Sequence, residues 1–367
     1  MSASALKSTS FRLVVALSFA GALVVLACVD PAHGQNDSVP AAQVVEMVAR
    51  VRAASPAEVA SLNALSLGQR LLIEQRYHEA AELFKALLEK LPREPAVLYG
   101  AALASFNLGR SEEAEPLVRA AAEIYLAGVD DKSTARSLSV EQRLRDADAL
   151  VLLAVILGAR GADTEALKIV QRAVELAPEH FDAQFTLGRA LYSVGDSVAA
   201  VRAFRAALRL KPDDARCLFF LATALEGAGD TEAALGAYRD LVARQPQAAE
   251  GHVGLGVLLI KRGGEDAEKG IQELKLAVRI DPGLYEAQVT LGRVLLSRKL
   301  AEESVEHLKR AAELAPTNPE PHYQLALAYR RLGLNDKAVA ETAIVKQIHE
   351  TRRGEGSQGN STARPDQ

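Results

Sequence analysis

The chain has 367 residues, with 43 lysines and arginines against 47 aspartates and glutamates, a net charge of −4. That balance argues against nucleic acid as the main partner, because neutralising a phosphate backbone takes a basic surface. Length alone suggests two or three domains.

Residues 1–34 read as an export signal. Lys7 and Arg12 give a basic start, and Leu13 to Ala27 is an uninterrupted apolar run of signal length, short for a membrane span. Two processing routes are open. Ala32-His33-Gly34 places small residues for cleavage before Gln35. Val25-Leu26-Ala27-Cys28 is similar to a bacterial lipobox, in which Cys28 is acylated, starts the chain (then 1–27 is the signal) and provides the sole membrane anchor. Either route leaves Cys217 without a partner cysteine and reads it as a small core residue. Residues 35–60 read as a lead-in and then an apolar-periodic helix, Val44 to Ala53, that caps the repeats.

From Ser61 the sequence repeats every 34 residues. Eight units begin at Ser61, Pro95, Ala147, Phe181, Ala215, Ala249, Tyr285 and Pro319. Position eight is small (Gly68, Ala102, Ala154, Gly188, Ala222, Gly256, Gly292, Ala326), as where two helices touch closely. Ala80, Ala114, Ala166, Ala200, Ala234 and Ala338 answer it from a second helix. A bulky residue comes next (Phe204, Tyr238, Leu308), and Pro212, Pro246 and Pro316 stop that helix by removing an amide and clashing with the preceding turn. Between the helices, Gly109, Gly161, Gly195, Gly229 and Gly333 suit the left-handed residue past a helix C-terminus. Asp196 and Asp230 then serve as N-caps.

Residues 61–128 hold two units and 147–352 hold six. Residues 129–146 between them are polar, lack a proline stop, and read as a helix extension plus linker. The unit from Ala249 is two residues longer, in an acidic turn from Gly263 to Lys269. The last unit has Thr342 in place of the bulky residue and a polar final helix, as a terminal cap requires. Residues 353–367, rich in Gly, Ser and Asn, are expected to be disordered.

This pattern resembles the tetratricopeptide repeat (TPR) family. No unit carries the family's favoured tryptophan at position four; Leu98, Leu150, Gln184, Leu218, His252, Gln288 and His322 stand there. The resemblance implies an all-α fold, a right-handed superhelical solenoid whose first helices line a partner-binding groove. Carried over by position, that groove comprises Tyr99, Phe106, Phe185, Arg189, Tyr192, Phe219, Val253, Ile260, Val289, Arg293, Leu296, Tyr323 and Arg330. Such an aromatic, aliphatic and arginine ladder suits an amphipathic helix or extended segment of a protein. It departs from the family's lysine–asparagine clamp for C-terminal carboxylates.

The function implied is an exported, periplasmic or secreted scaffold that binds protein and assists assembly of envelope or secretion machinery. The alternative is an accessory subunit of an envelope enzyme, or a hydrolase. No cofactor, metal or catalytic residue is expected. His78-Glu79-Ala80-Ala81-Glu82 lacks the second histidine of a zinc-protease motif, and no Gly-Lys-Ser/Thr comes after Gly251, Gly254 and Gly256.

Overall fold

The computed structural model describes residues 39–130 and 138–359. The export-signal reading, Cys28, part of the interval after the second repeat and the end of the tail lie outside these. Among the described residues all regular structure is helical, with no strand. The helices run in sequence as α1 (Ala41–Ala53), the short α2 (Pro56–Val59), α3 (Ala64–Ile73), α4 (Tyr77–Lys90), α5 (Pro95–Asn107), α6 (Ser111–Asp130), α7 (Val140–Ala159), α8 (Asp163–Leu176), α9 (Phe181–Ser193), α10 (Ser197–Leu210), α11 (Ala215–Gly227), α12 (Thr231–Arg244), α13 (Ala249–Arg262), α14 (Asp266–Ile280), α15 (Tyr285–Ser297), α16 (Ala301–Leu314), α17 (Pro319–Arg331) and α18 (Asn335–Gly359). A 3₁₀ turn, Ala60–Leu62, joins α2 to α3. From α3 onward the helices pair into eight hairpins, one for each repeat. The chain divides into two compact bodies, residues 1–212 and 213–367.

One packing rule recurs in the first seven hairpins. The side chain at position 24, near the middle of the second helix, is fully buried as Phe84, Val118, Val170, Phe204, Leu274 and Leu308, and nearly so as Tyr238. It faces the small residue at position eight. A β-carbon on Gly188 would stand 2.6 Å from the Phe204 ring, and one on Gly292 2.6 Å from Leu308. The same side chain also meets the first helix of the next repeat, where the ring of Phe84 leaves no room for a β-carbon on Gly100. In the final repeat this position is Thr342, which is exposed, with nothing described beyond it to cover.

The turns obey their residues. Gly109, Gly161, Gly195, Gly229 and Gly333 are left-handed, and Gln75 and Lys299 adopt the same conformation where no glycine is present. Asp196 and Asp230 accept the Ala199 and Ala233 amides as N-caps. At the start, α1 buries Val44 and Val51 in a cluster with Leu71 and Leu83, sealing the first hairpin.

Three stretches differ from the boundaries read in the sequence. Helix α7 begins at Val140, seven residues before the third repeat, behind a capping box in which Ser139 accepts the Gln142 amide at 3.1 Å. Helix α6 is lengthened alike, so part of the interval forms extra turns on two paired helices. In the long repeat, Asp266 to Lys269 form the first turn of α14 rather than a loop, because Gly263 and Gly264 complete the reversal alone. Helix α18 runs on to Gly359, past Arg352, whose guanidinium donates to the Thr317 carbonyl at 2.7 Å.

A polar tether occupies position four in several repeats. Gln184 Nε2 donates to the carbonyl of Pro178 at 3.0 Å, and Gln288 Nε2 to that of Pro282 at 3.0 Å. His252 Nε2 donates to the Pro246 carbonyl at 3.0 Å. Each thus satisfies a carbonyl freed where the preceding second helix ends. Two of these side chains also reach the second helix of their own repeat, His252 to Glu273 at 2.6 Å and Gln288 to His307 at 2.9 Å. His322 keeps the second contact, to Glu341 at 2.7 Å, but its buried Nε2 has no hydrogen-bond partner among the described residues.

The sixth hairpin, α13 with α14, is the tightest. Glycine stands at both contact positions, and a β-carbon on Gly270 would lie 2.6 Å from the Gly256 carbonyl oxygen. Alanine normally gains about 1 kcal/mol over glycine inside a helix. Here Gly270→Ala is expected instead to lose about 1–3 kcal/mol through overpacking against backbone. Urea unfolding of the mature chain checks this, and an unchanged or raised midpoint contradicts it.

Candidate partner-binding faces

The first helix of each repeat presents the face on which the sequence places the groove. In the second body, Tyr323 is 56% exposed on α17, with Arg330 also exposed two turns on. Arg293 on α15 is exposed and reaches Glu320 at 3.4 Å. Val253 and Ile260 on α13 are half-buried, as is Phe219 on α11, which meets the ring of Tyr238 edge-on at 6.2 Å. Val289 and Leu296 are buried at 6% and 3% exposure. Val289 packs with Leu308, Leu325 and Tyr329, and Leu296 with Ala301 and Ala328, so the neighbouring repeat covers both. These two belong to the hairpin interior.

In the first body none of the residues assigned to the groove is exposed. Phe185 is 4% exposed, stacked on Phe181 at 6.0 Å and tilted against Phe204 at 5.9 Å. Arg189 lies 5.9 Å from the Phe185 ring centroid, and Tyr192 is half-buried beyond it. Phe106 and Tyr99 are half-buried against the cluster built around α7. Thus Phe185, Val289 and Leu296 serve as packing residues, while the others keep surface.

A polar group gathers around the extended helices α6 and α7. His180 Nδ1 accepts the Ala183 amide at 3.1 Å, capping α9, so its Nε2–H donates to Asp148 at 2.9 Å. The Tyr99 hydroxyl is buried without a hydrogen-bond partner among the described residues. Burial first, then the charge of Asp148, pushes its ionisation well above the usual tyrosine range. Tyr125 is pushed up likewise, by burial and by Asp146. Asp146 itself is held up at about 6 by desolvation, with Arg145 pulling weakly the other way. In the second body, burial of Glu286 raises its carboxyl and the nearby Glu250 adds to the effect.

In each body a recess opens between the second helix of one repeat and both helices of the next. The first, about 440 Å³, has Leu187, Leu191 and Ala203 as floor and Gln171, Asp196 and Arg202 at its rim. The second, about 570 Å³, is lined at the repeat-equivalent places by Leu255, Leu259, Glu273, Arg239, Asp266 and Gln272. Neither was visible in the sequence, since each is a gap between helices of adjacent repeats. Among the described residues no group of three or more His, Cys, Asp or Glu is placed to hold a metal ion. Cys217 is fully buried, and desolvation pushes its thiol up to about 12, which suits a packing residue.

Comparison with known proteins places this architecture. Residues 65–125, 151–215, 185–249 and 221–285 match the tetratricopeptide repeat family model, and residues 292–333 match a further TPR repeat model. The first model alone covers more than half of the chain, which therefore belongs to the TPR family. Among solved structures, pilF of Pseudomonas aeruginosa is similar in fold. It has a TM-score of 0.50 and 15% identity, over 58% of this chain and 99% of that one. A thermophilic TPR protein of Thermus thermophilus shares 26% identity over 49% of this chain and 97% of its own, with a TM-score of 0.40. YrrB, described as a TPR protein with an unusual peptide-binding site, shares 20% over 56% and 96%, with a TM-score of 0.43. No curated protein matches the chain.

Asp146 gives a pH signature. Its carboxyl binds a proton more tightly in the folded chain than in the unfolded one, so its stabilising share is complete below the ordinary aspartate range and is lost as pH rises through about 6. Asp146→Asn should remove that loss and raise stability at pH 7 by about 1 kcal/mol, after discounting for its solvent-exposed half. Urea midpoints of both proteins at pH 4 and pH 7 check this, and a difference that does not change with pH contradicts it.

Proposed function

We propose that this chain is an exported TPR scaffold whose first-helix face, in the second body, holds a helical or extended segment of a protein partner. The observation that carries this reading is the run of exposed Tyr323, Arg330 and Arg293 beside half-buried Val253, Ile260 and Phe219. Aromatic and arginine side chains beside apolar surface are what binding hot spots use. Rows of first helices in repeat proteins supply extended surfaces for such segments. Partner capture assists assembly of envelope or secretion machinery in this reading.

The test is placement of a photo-crosslinking amino acid at Tyr323 or at Arg293 in the mature chain, with exposed Glu302 on the second helix as comparison. A discrete protein adduct is expected from the first two positions only. It should disappear when the other first-helix residues, Val253 and Arg330, become alanine. The same adducts from Glu302 would remove the first-helix face as the working surface.

Export rests on Lys7, Arg12 and the apolar run to Ala27. Attachment of a lipid at Cys28 is the variant of this reading that places the scaffold on a membrane. Cys28→Ser should then shift the protein from the membrane to the soluble fraction. Identical fractionation of the two leaves plain cleavage before Gln35.

A further inference from the structure

The second-helix face of the fourth repeat carries a charge pattern that the scaffold reading does not use. Val198, Arg202, Arg205 and Arg209 are spaced to fall along one face of α10. All four are exposed, Val198 by 58%. No ion pair or hydrogen bond to a described residue engages any of the three guanidinium groups. Other arginines of this chain do have carboxylate partners. Arg119 pairs with Glu115 and Glu165, and Arg262 with Glu232 and Asp266.

Helix α10 contains no aspartate or glutamate with which to pair. One repeat earlier the same positions hold Lys168, Gln171 and Glu175, and one repeat later Gly236, Arg239 and Ala243. The stripe is thus a property of one helix and not of the repeat. Like charges at such spacing repel one another along a helix, and the chain as a whole is acidic.

The stripe borders the recess of about 440 Å³, with Arg202 on its rim and Leu187, Leu191 and Ala203 as its floor. The one carboxylate at that rim, Asp196, already accepts the Ala199 amide as the helix cap. Arg202 and Arg209 are separated by about 10 Å along the axis, two turns of helix. Guanidinium groups so spaced match carboxylates at successive turns of a partner helix and can grip each by two hydrogen bonds.

We propose that α10 and this recess form a second docking surface, which takes an acidic amphipathic segment of a partner protein. Its carboxylates meet Arg202, Arg205 and Arg209, and an apolar side chain enters the recess beside Val198. The surface consists of α10 and the recess it shares with α8 and α9, and it uses none of the first-helix residues of the docking face proposed above.

The probe is a labelled helical peptide of about 16 residues, long enough to hold a helix, with glutamates at successive turns and leucines on the adjoining face. Its binding to the mature chain is monitored by fluorescence anisotropy. Saturable binding that weakens with salt is expected, and Arg202→Gln, Arg205→Gln and Arg209→Gln together should weaken it at least about tenfold while leaving circular dichroism and melting unchanged. Replacing the three by glutamate should abolish it and create binding to the matching lysine peptide. Absence of saturable binding, equal binding by the glutamine variant, or binding of phosphatidylglycerol vesicles in place of the peptide would overturn the proposal.

Discussion

Everything in this chain depends on one contact, a bulky side chain of the second helix pressed against a small residue of the first. A single hairpin cannot bury that side chain completely, because one flank remains open until the next repeat closes it. Phe84 shows both halves of the arrangement, with Gly68 of its own repeat on one side and Gly100 of the next on the other. Stacking is therefore obligatory, as in other quasi-one-dimensional proteins. The ends obey the same constraint. Helix α1 covers the first hairpin with Val44 and Val51, and Thr342 replaces the bulky residue where the described stack stops.

Where glycine occupies both sides of the contact, the helices approach until backbone meets backbone, as at Gly256 and Gly270. Where longer helices replace the short ones, polar chemistry enters. The extra turns of α6 and α7 bring Tyr125 and Asp146 to partly buried positions near one another, with Tyr125 also near Tyr99. Desolvation there is only partly offset, which is why the ionisation of all three is displaced.

Most of the fold was legible in the residues, because its rule is local and periodic. Small residues at position eight, the left-handed glycines and the aspartate caps each have one physical reading, and all agree. The start of α7 was not, since a polar stretch without a proline reads equally as linker, and only the Ser139–Gln142 box shows where the helix begins. The partner face was legible by position but not by depth. Phe185, Val289 and Leu296 hold first-helix positions that the family pattern assigns to a groove, yet how far they are covered depends on the size of Phe204, Leu308 and Ala328. Gln184, His252, Gln288 and His322 stood out only as absent tryptophans. Their shared offset of six residues from a proline was the available sign of a tether. The unpaired state of Arg202, Arg205 and Arg209 is three-dimensional information, for the sequence cannot say whether a carboxylate lies across the gap.

The tethers at position four have a mechanical consequence. Gln184, His252 and Gln288 each fasten the entry of one repeat to the exit of the one before, through a carbonyl that no helix can satisfy. The third repeat offers only Leu150 at this place. A load applied to the chain's ends must shear a partly buried polar bond to separate a fastened pair, but need only slide apolar surfaces apart where leucine stands. The chain should therefore yield under tension in a set order, with its unfastened junctions acting as the compliant links between stiffer blocks.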